Sequence, residues 1–273
     1  MSAIDRWGDE LGGWGIPDEI LDAAPESPWG FPAEIHRVRA ERAIAREPTA
    51  STRRALEALP DGGSVLDVGV GGGAASLPLA GRAALIVGVD TSRDMLEAFE
   101  QGARAAGVAA RTFEGGWPDV AAEVPKADVV VCSHVLYNVR DLEPFVRALD
   151  AHARRRGVVE ITATHPLAWM SDLWQRFHAL ERPDGPTADD AFDALAELGM
   201  SPEREDEART PLSSGFERRE DAVALVRRRL CLPAERDPEV AEALGDLLAQ
   251  RDGLWSAGPA AQTLVTLWWD HRP

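Results

Sequence analysis

Two acidic residues end two apolar runs of this chain, and a glycine-rich turn lies between them. The first run ends at Asp67, and Gly69, Gly71 and Gly73 follow it at alternate positions. Glycines there let the backbone bend sharply and let a ligand lie directly against it. The second run ends at Asp90, where a carboxylate can accept hydrogen bonds from the two hydroxyls of a ribose. Together these residues predict a site for a nucleoside cofactor.

Such side chains need a strand, a tight turn and a helix to position them. That alternation runs on along the chain and predicts an α/β fold: a doubly wound, mostly parallel seven-stranded sheet with helices on both faces. In such a sheet, ligands bind at the carboxyl ends of the strands. The strands are predicted near residues 64–69, 85–89, 109–113, 127–133, 157–163, 203–209 and 262–270. The helices are predicted near 49–60, 74–81, 93–106, 118–123, 141–154, 167–178, 187–198, 217–230 and 238–250.

The two motifs together resemble the class I S-adenosylmethionine-dependent methyltransferases that act on small molecules. Asp67 stands two residues before the first glycine, where that family has an acidic residue, and residues 91–96 are similar to its usual continuation after the ribose-binding acid. The resemblance covers residues 50–166 by motif and the last strand by pattern. It implies S-adenosylmethionine as the cofactor and a last strand that runs antiparallel beside the fifth.

The resemblance also implies roles for residues around the cofactor. The three glycines would lie along its methionine part, Asp67 would hold its amino group and Asp90 its ribose. Met95 would lie near the adenine or, as helical methionines often do, in the core. Gly116 occupies the position of the family's adenine-binding acid, so that contact would fall to the backbone. Trp117 would flank the adenine or pack against the next helix.

The exits of the fourth and fifth strands carry the residues that could act on an acceptor. Ser133 is predicted beside the methyl donor. His134 could be a general base for a substrate hydroxyl, or could only position the cofactor or the loop. His165 is a second candidate base. Glu160 lies within an apolar strand and must either be paired, for example with an arginine, or face the acceptor. The aromatic residues of 167–178 would form a wall for the acceptor or simply pack.

Composition narrows the range of partners. The chain has 29 Lys and Arg against 46 Asp and Glu, and this net charge of −17 disfavours a nucleic-acid substrate. The Asn-Pro-Pro-aromatic motif of nucleobase methyltransferases is absent. Two cysteines are too few for a disulfide framework, and their spacing suits no metal site. The N-terminus lacks the features of a signal peptide, and no apolar run approaches the ~20 residues of a membrane span. We therefore expect a cytoplasmic enzyme without a metal or a membrane partner.

We expect an N-terminal segment over residues 1–50 and a methyltransferase domain over 51–273, with a helical insertion at about 167–200. The N-terminal segment carries aromatic residues among glycines and prolines, including Trp29 and Phe31. They would pin the segment to the domain or form a lid over the cofactor.

Two other functions remain open. Gly69, Gly71 and Ala74 also satisfy a relaxed dinucleotide fingerprint, so a nicotinamide-dependent oxidoreductase is one alternative. A non-catalytic S-adenosylmethionine-binding protein is the other, because no catalytic constellation is visible.

Overall fold

A mixed sheet dominates the computed structural model, which describes residues 1–29, 47–209, 215–251 and 253–271. Within those residues the sheet has seven strands, and a separate hairpin has two. The strands are β1 (Gly63–Val68), β2 (Ala83–Asp90), β3 (Ala109–Glu114), β4 (Ala127–Ser133), β5 (Ala153–Thr162), β6 (Glu203–Arg209), β7 (Leu248–Arg251), β8 (Leu254–Ala257) and β9 (Gln262–Asp270). The α-helices are α1 (Ala3–Gly12), α2 (Asp18–Ala23), α3 (Ala50–Ala58), α4 (Arg93–Ala106), α5 (Leu142–His152), α6 (Ser171–His178), α7 (Ala188–Glu197), α8 (Arg219–Arg229) and α9 (Asp237–Leu244).

The order of the strands is β3-β2-β1-β4-β5-β9-β6. Neighbouring strands from β3 to β5 pair in parallel, whereas β9 runs antiparallel to both β5 and β6. The chain leaves β1 toward one edge of the sheet and later returns to β4 on its other side. The reversal lies between β1 and β4, and α/β proteins of this kind bind ligands at the carboxyl ends of the strands at such a point. The predicted mostly parallel sheet with an antiparallel last strand is confirmed.

Each face of the sheet is covered by its own group of helices. Leu66 and Val68 of β1 point to the face packed by α5 and α7, whereas Val65 points to the face packed by α3 and α4. This alternation follows from the two-residue period of a strand. Because both faces are buried there, the central strands β1, β2 and β4 read as nearly continuous apolar runs.

Two predicted helices are wrong. The segment after the glycine turn has turns and a short 3-10 helix, Leu77–Leu79, in place of a helix over 74–81. Pro78 would lie inside such a helix, where its ring and its missing N–H break the hydrogen-bond ladder. Residues 118–123 likewise form only a 3-10 turn, Ala121–Glu123.

A second apolar cluster lies apart from the sheet. It contains buried residues of α6, α8 and α9, with α2 and the β7–β8 hairpin packed against them. We call this cluster the small lobe. The predicted helix over 238–250 ends at Leu244, and the chain then enters β7. Residues 167–200 divide between two cores, because α6 belongs to the small lobe and α7 to the sheet. The domain bounds themselves stay a prediction.

The N-terminal helix α1 is pinned to the main domain by aromatic side chains. Trp7 has no exposed surface, and its Nε1 donates to the carbonyl oxygen of Val139. Trp14 Nε1 donates to the carbonyl oxygen of Gly185. Trp29, by contrast, is 56% exposed, and Phe31 lies outside the described residues.

The helices of the described part of the chain are all too short or too polar to cross a membrane.

Candidate active site

The glycine turn after β1 lies directly against the exit of β4. Gly69, Gly71 and Gly73 have φ angles of +73°, +49° and +87°, a region that side chains with a Cβ rarely adopt. A Cβ built on Gly69 would lie 2.3 Å from Cγ2 of Val135. Glycine is therefore required here for both conformation and space, and the turn lies beside the residue that follows His134.

Asp67, at the end of β1, has an unsatisfied carboxylate oxygen. The residue is 1% exposed; Ser76 donates a hydrogen bond of 2.6 Å to Oδ2, and Oδ1 has no partner among the described residues. Burial, helped by the charge of Asp90 and opposed by Ser76, raises the pKa of Asp67 to about 7. A buried, unpaired carboxylate oxygen is complementary to a cationic ammonium group, so Asp67 fits the amino group of the implied cofactor.

Asp90 accepts two backbone hydrogen bonds and keeps capacity for more. Its Oδ2 accepts from Gly71 N and its Oδ1 from Ser92 N, both at 2.9 Å. A carboxylate has about four acceptor positions, so lone pairs remain for ribose hydroxyls. Asp90 thus ties the glycine turn to the start of α4. Met95 of α4 is half-buried and belongs to none of the described core clusters, which leaves it available to a ligand.

Trp117 packs against α5. Its Nε1 donates to the carbonyl oxygen of Phe145 at 3.2 Å, and its ring meets His152 edge-on at 4.8 Å. These contacts agree with the expected packing against the next helix, and a contact of Trp117 with the adenine stays a prediction. Gly116 follows the end of β3 and is half-buried, so the proposed backbone contact to adenine stays a prediction.

The exit of β4 meets β5 through His134 and Glu160. Ser133 lies opposite Glu160 in the parallel register, and the imidazole Nε2 of His134 lies 3.5 Å from Glu160 Oε1. Ser51 Oγ of α3 donates to Glu160 Oε2 at 2.6 Å. Burial raises the pKa of Glu160, but the hydrogen bonds and charge supplied by His134, with further hydrogen bonds from Ser51 and Thr49, outweigh it and hold the pKa below its ordinary value. Among the described residues, Glu160 therefore pairs with a histidine and not with an arginine.

His165 is a packing residue and not an accessible base. It is 6% exposed, stacks on Trp14 with ring centroids 3.7 Å apart, and meets Tyr137 edge-on at 5.2 Å. Burial, reinforced by the charge of Arg182, lowers the pKa of His165 to about 3. An imidazole that resists protonation to this degree is a poor proton acceptor at neutral pH, so the expectation of a second catalytic base is corrected.

The aromatic residues of α6 pack inside the small lobe. Trp174 is 3% exposed and stacks under the Arg182 guanidinium at 4.2 Å. The His178 ring Nε2 is hydrogen-bonded to the carbonyl oxygen of Leu230 at the end of α8. Helix packing explains these residues, and an acceptor wall does not.

Sequence reasoning missed Ser76 and Ser51, the hydroxyls that meet Asp67 and Glu160. No local signal marks them, because each partner is distant along the chain. The described residues include no group of three or more His, Cys, Asp or Glu side chains arranged to hold a metal ion.

Comparison with known proteins places this geometry in context. The model of a family described as methyltransferase domain matches residues 38–187. A putative methyltransferase from Bacillus halodurans is 13% identical, with coverage of 83% of this chain and 100% of that chain and a TM-score of 0.54. A cyclopropane-fatty-acyl-phospholipid synthase-like protein from Lactobacillus casei is 17% identical, with coverage of 92% and 97% and a TM-score of 0.53. These two structures share the fold.

A curated relative, an uncharacterized protein from Haemophilus influenzae, is 32% identical over 116 residues. That match covers 41% of this chain and 43% of the relative, so it spans less than half of either protein.

Proposed function

The chain belongs to the methyltransferase domain family, and from this premise we propose that it transfers the methyl group of S-adenosylmethionine to a small-molecule acceptor. The carboxylates on either side of the glycine turn support this function most directly. Asp67 and Asp90 lie at the ends of adjacent strands and flank a stretch of bare backbone. When bound, S-adenosylmethionine supplies a methyl group on a positively charged sulfur. A nucleophilic atom of an acceptor can take this methyl group and displace the sulfur.

Residues of this chain would hold each part of the cofactor. The free Oδ1 of Asp67 would accept from the ammonium group, and the remaining lone pairs of Asp90 would accept from the ribose hydroxyls. Gly69, Gly71 and Gly73 would let the methionine part approach the backbone, and Met95 would lie toward the adenine. The two negative charges also suit a ligand that carries positive charge on both its ammonium and its sulfonium.

The protein's main task in such a reaction is alignment. Holding the acceptor in position and excluding water from the site can supply much of the rate enhancement, because the sulfonium is already a strong methyl donor. The His134 imidazole is half exposed beside the glycine turn, so it is the group available to accept a proton from an acceptor. Ser133 precedes it and lies at the same edge of the sheet.

We also propose a reducing, cytoplasmic location and no nucleic-acid partner. Cys132 and Cys231 are both free and buried, as expected for thiols that are not used in disulfides. The net charge of −17 opposes binding to a phosphate backbone.

Calorimetric titration with S-adenosylhomocysteine tests the cofactor. Wild-type protein should bind it with micromolar affinity, and Asp90→Ala should weaken binding at least about ten-fold, which is ~1.4 kcal/mol. Asp94→Ala is the matched control, because Asp94 is an exposed carboxylate in the first turn of α4. Its affinity should remain within about two-fold of wild type.

Titration with NAD under the same conditions separates the alternatives. Binding of NAD without S-adenosylhomocysteine would favour an oxidoreductase and contradict the proposed cofactor. Cofactor binding without methyl transfer to any acceptor would leave the non-catalytic binding protein.

A further inference from the structure

Three side chains from three distant segments meet at the carboxyl edge of the sheet. Glu160 is 7% exposed and lies in β5. Ser51 Oγ donates to one of its carboxylate oxygens at 2.6 Å, and His134 Nε2 lies 3.5 Å from the other. Burying a carboxylate is unfavourable unless partners compensate it, and Ser51 and His134 are such partners.

Each oxygen of Glu160 thus has its own partner. Ser51 fixes the carboxylate from the α3 side, which leaves Oε1 directed at the imidazole. At 3.5 Å the contact with Nε2 is at the long limit of a hydrogen bond. The carboxylate therefore acts on His134 through this long hydrogen bond and its charge, and both favour a proton on Nε2.

The backbone of His134 is held in an unfavourable conformation by the same strand. Its φ is +59°, in the left-handed region that is unfavourable for a residue with a Cβ. The His134 N–H donates to the backbone carbonyl of Glu160 at 2.7 Å, which secures this conformation. Strain of this kind persists where the surroundings over-determine it, and functional sites are a frequent location.

We propose that Ser51 and Glu160 are positioning residues that orient His134 as the proton acceptor for the methylated group. This rests on the proposed function. With Nε2 turned toward Glu160, Nδ1 remains free to accept a proton, since no hydrogen bond among the described residues involves it. The site would then take an acceptor hydroxyl: its O–H bond breaks, the proton goes to Nδ1, and the oxygen's electron pair forms the bond to the methyl carbon as the carbon–sulfur bond breaks.

Histidine NMR of the full chain tests the pairing without an acceptor. The chain has six histidines, and the His134 signal is assigned as the one lost in His134→Gln. At a fixed alkaline pH, the ring nitrogen shifts of His134 should show the proton on Nε2 in wild type. In Glu160→Gln, which keeps the shape but removes the charge, this preference for Nε2 should be lost. Ser51→Ala should weaken the preference by less, and Ser51→Thr should restore it.

Ser64→Ala is the matched control. Ser64 Oγ also donates to a carboxylate, Asp128, at 2.9 Å, but at the start of β1. It should leave the preference of the His134 ring for a proton on Nε2 unchanged, while unfolding curves show that each variant is folded. A preference for Nε2 that persists in folded Glu160→Gln would overturn the pairing.

Saturation with S-adenosylhomocysteine locates His134 relative to the cofactor. The His134 signal should shift on addition. Calorimetric binding that leaves the His134 signal unmoved would remove His134 from the transfer site and overturn the positioning role. Absence of any binding would instead contradict the proposed function, and the ring nitrogen shifts of His134 would still decide whether the Ser51–Glu160–His134 pairing exists.

Discussion

At the scale of single residues, Asp67 shows how burial prepares a site for a charged ligand. Its carboxylate is almost fully enclosed, and one oxygen has no partner among the described residues. The ionised form is therefore disfavoured in the free protein, which is why the pKa rises to about 7. A cationic ligand would supply the missing partner and favour ionisation.

Asp67→Asn should change how stability depends on pH. The raised pKa means that Asp67 contributes stability below its ordinary value of 3.8, and that this contribution is lost as the pH rises toward about 7. Between these pH values the free energy of unfolding should fall in wild type relative to Asp67→Asn, by more than about 1 kcal/mol. Urea unfolding of both proteins across this range measures the difference.

Asp128→Asn serves as a comparison in which the dependence of stability on pH should have the opposite sign. Burial would raise the pKa of Asp128, but hydrogen bonds from Ser64 outweigh it and hold the pKa low. Asp128 therefore contributes stability above its ordinary pKa, and this is lost as the pH falls. Parallel curves of unfolding free energy against pH for wild type and Asp67→Asn would contradict the raised pKa of Asp67.

Gly69→Ala should be far more harmful than Gly107→Ala. The φ angles are nearly equal, +73° and +72°, but a Cβ on Gly69 would meet Val135 at 2.3 Å, whereas Gly107 has nothing within 4 Å. Gly107→Ala should cost about 1–2 kcal/mol of unfolding free energy and leave cofactor affinity intact. Gly69→Ala should cost more and weaken S-adenosylhomocysteine binding by more than about ten-fold. Equal effects in calorimetry and urea unfolding would show that crowding by Val135 is unimportant.

At the scale of elements, α1 attaches to the domain through a small number of contacts made by large side chains. Trp7 stacks on Tyr137 with ring centroids 5.5 Å apart, and Arg6 pairs with Asp190 of α7 at 2.7 Å. Tyr137 in turn meets His165, which stacks on Trp14. A continuous series of rings therefore joins α1 to the segments that follow β4 and β5.

Trp7→Ala should destabilise the protein by about 3–5 kcal/mol, because it empties a fully buried aromatic site. Trp29→Ala is the control of the same chemistry, since Trp29 is 56% exposed, and it should change stability by less than about 0.5 kcal/mol. Urea unfolding of both variants distinguishes them. A small effect of Trp7→Ala would mean that α1 contributes little to the cooperative fold.

At the scale of the whole molecule, acidic residues are distributed over the surface, and several of them lie in the edge strand β6 of the sheet. Every residue of the edge strand β6 except Ala208 is charged. Glu205 pairs with both Arg53 and Arg54 of α3 at 2.7 Å, so part of this charge is neutralised locally. Charged side chains on an edge strand also discourage pairing with another chain.

The net charge predicts that duplex DNA is not a ligand. Fluorescence anisotropy with a labelled duplex at low salt should give no binding tighter than about 10⁻⁴ M, the weak end of ordinary non-specific affinity. A basic protein serves as the positive control under the same conditions. Tight binding that weakens with salt would reveal a local basic surface and return nucleic acid to the candidate acceptors.

Local pattern was sufficient for most of the sheet and for the frame of the site. The strand runs, the glycines and the two terminal carboxylates are encoded in neighbouring residues, and a parallel sheet brings its carboxyl ends to one edge. The predicted helix after the turn is wrong because Pro78 interrupts a segment whose alanine and leucine content favours a helix. The small-lobe hairpin β7–β8 was missed because its two four-residue strands are too short to show a period.

The sequence by itself determined the fold class, the cofactor turn and the two carboxylates that flank it, Asp67 and Asp90. These features depend on residues that are close together along the chain. Only the tertiary structure decided which polar side chains lie together. Ser51 and Glu160 are 109 residues apart, yet they share a 2.6 Å hydrogen bond. The same packing leaves the His134 imidazole half exposed and buries His165. Burial and pairing depend on which distant segments the fold brings together, and no local pattern of residue types records that.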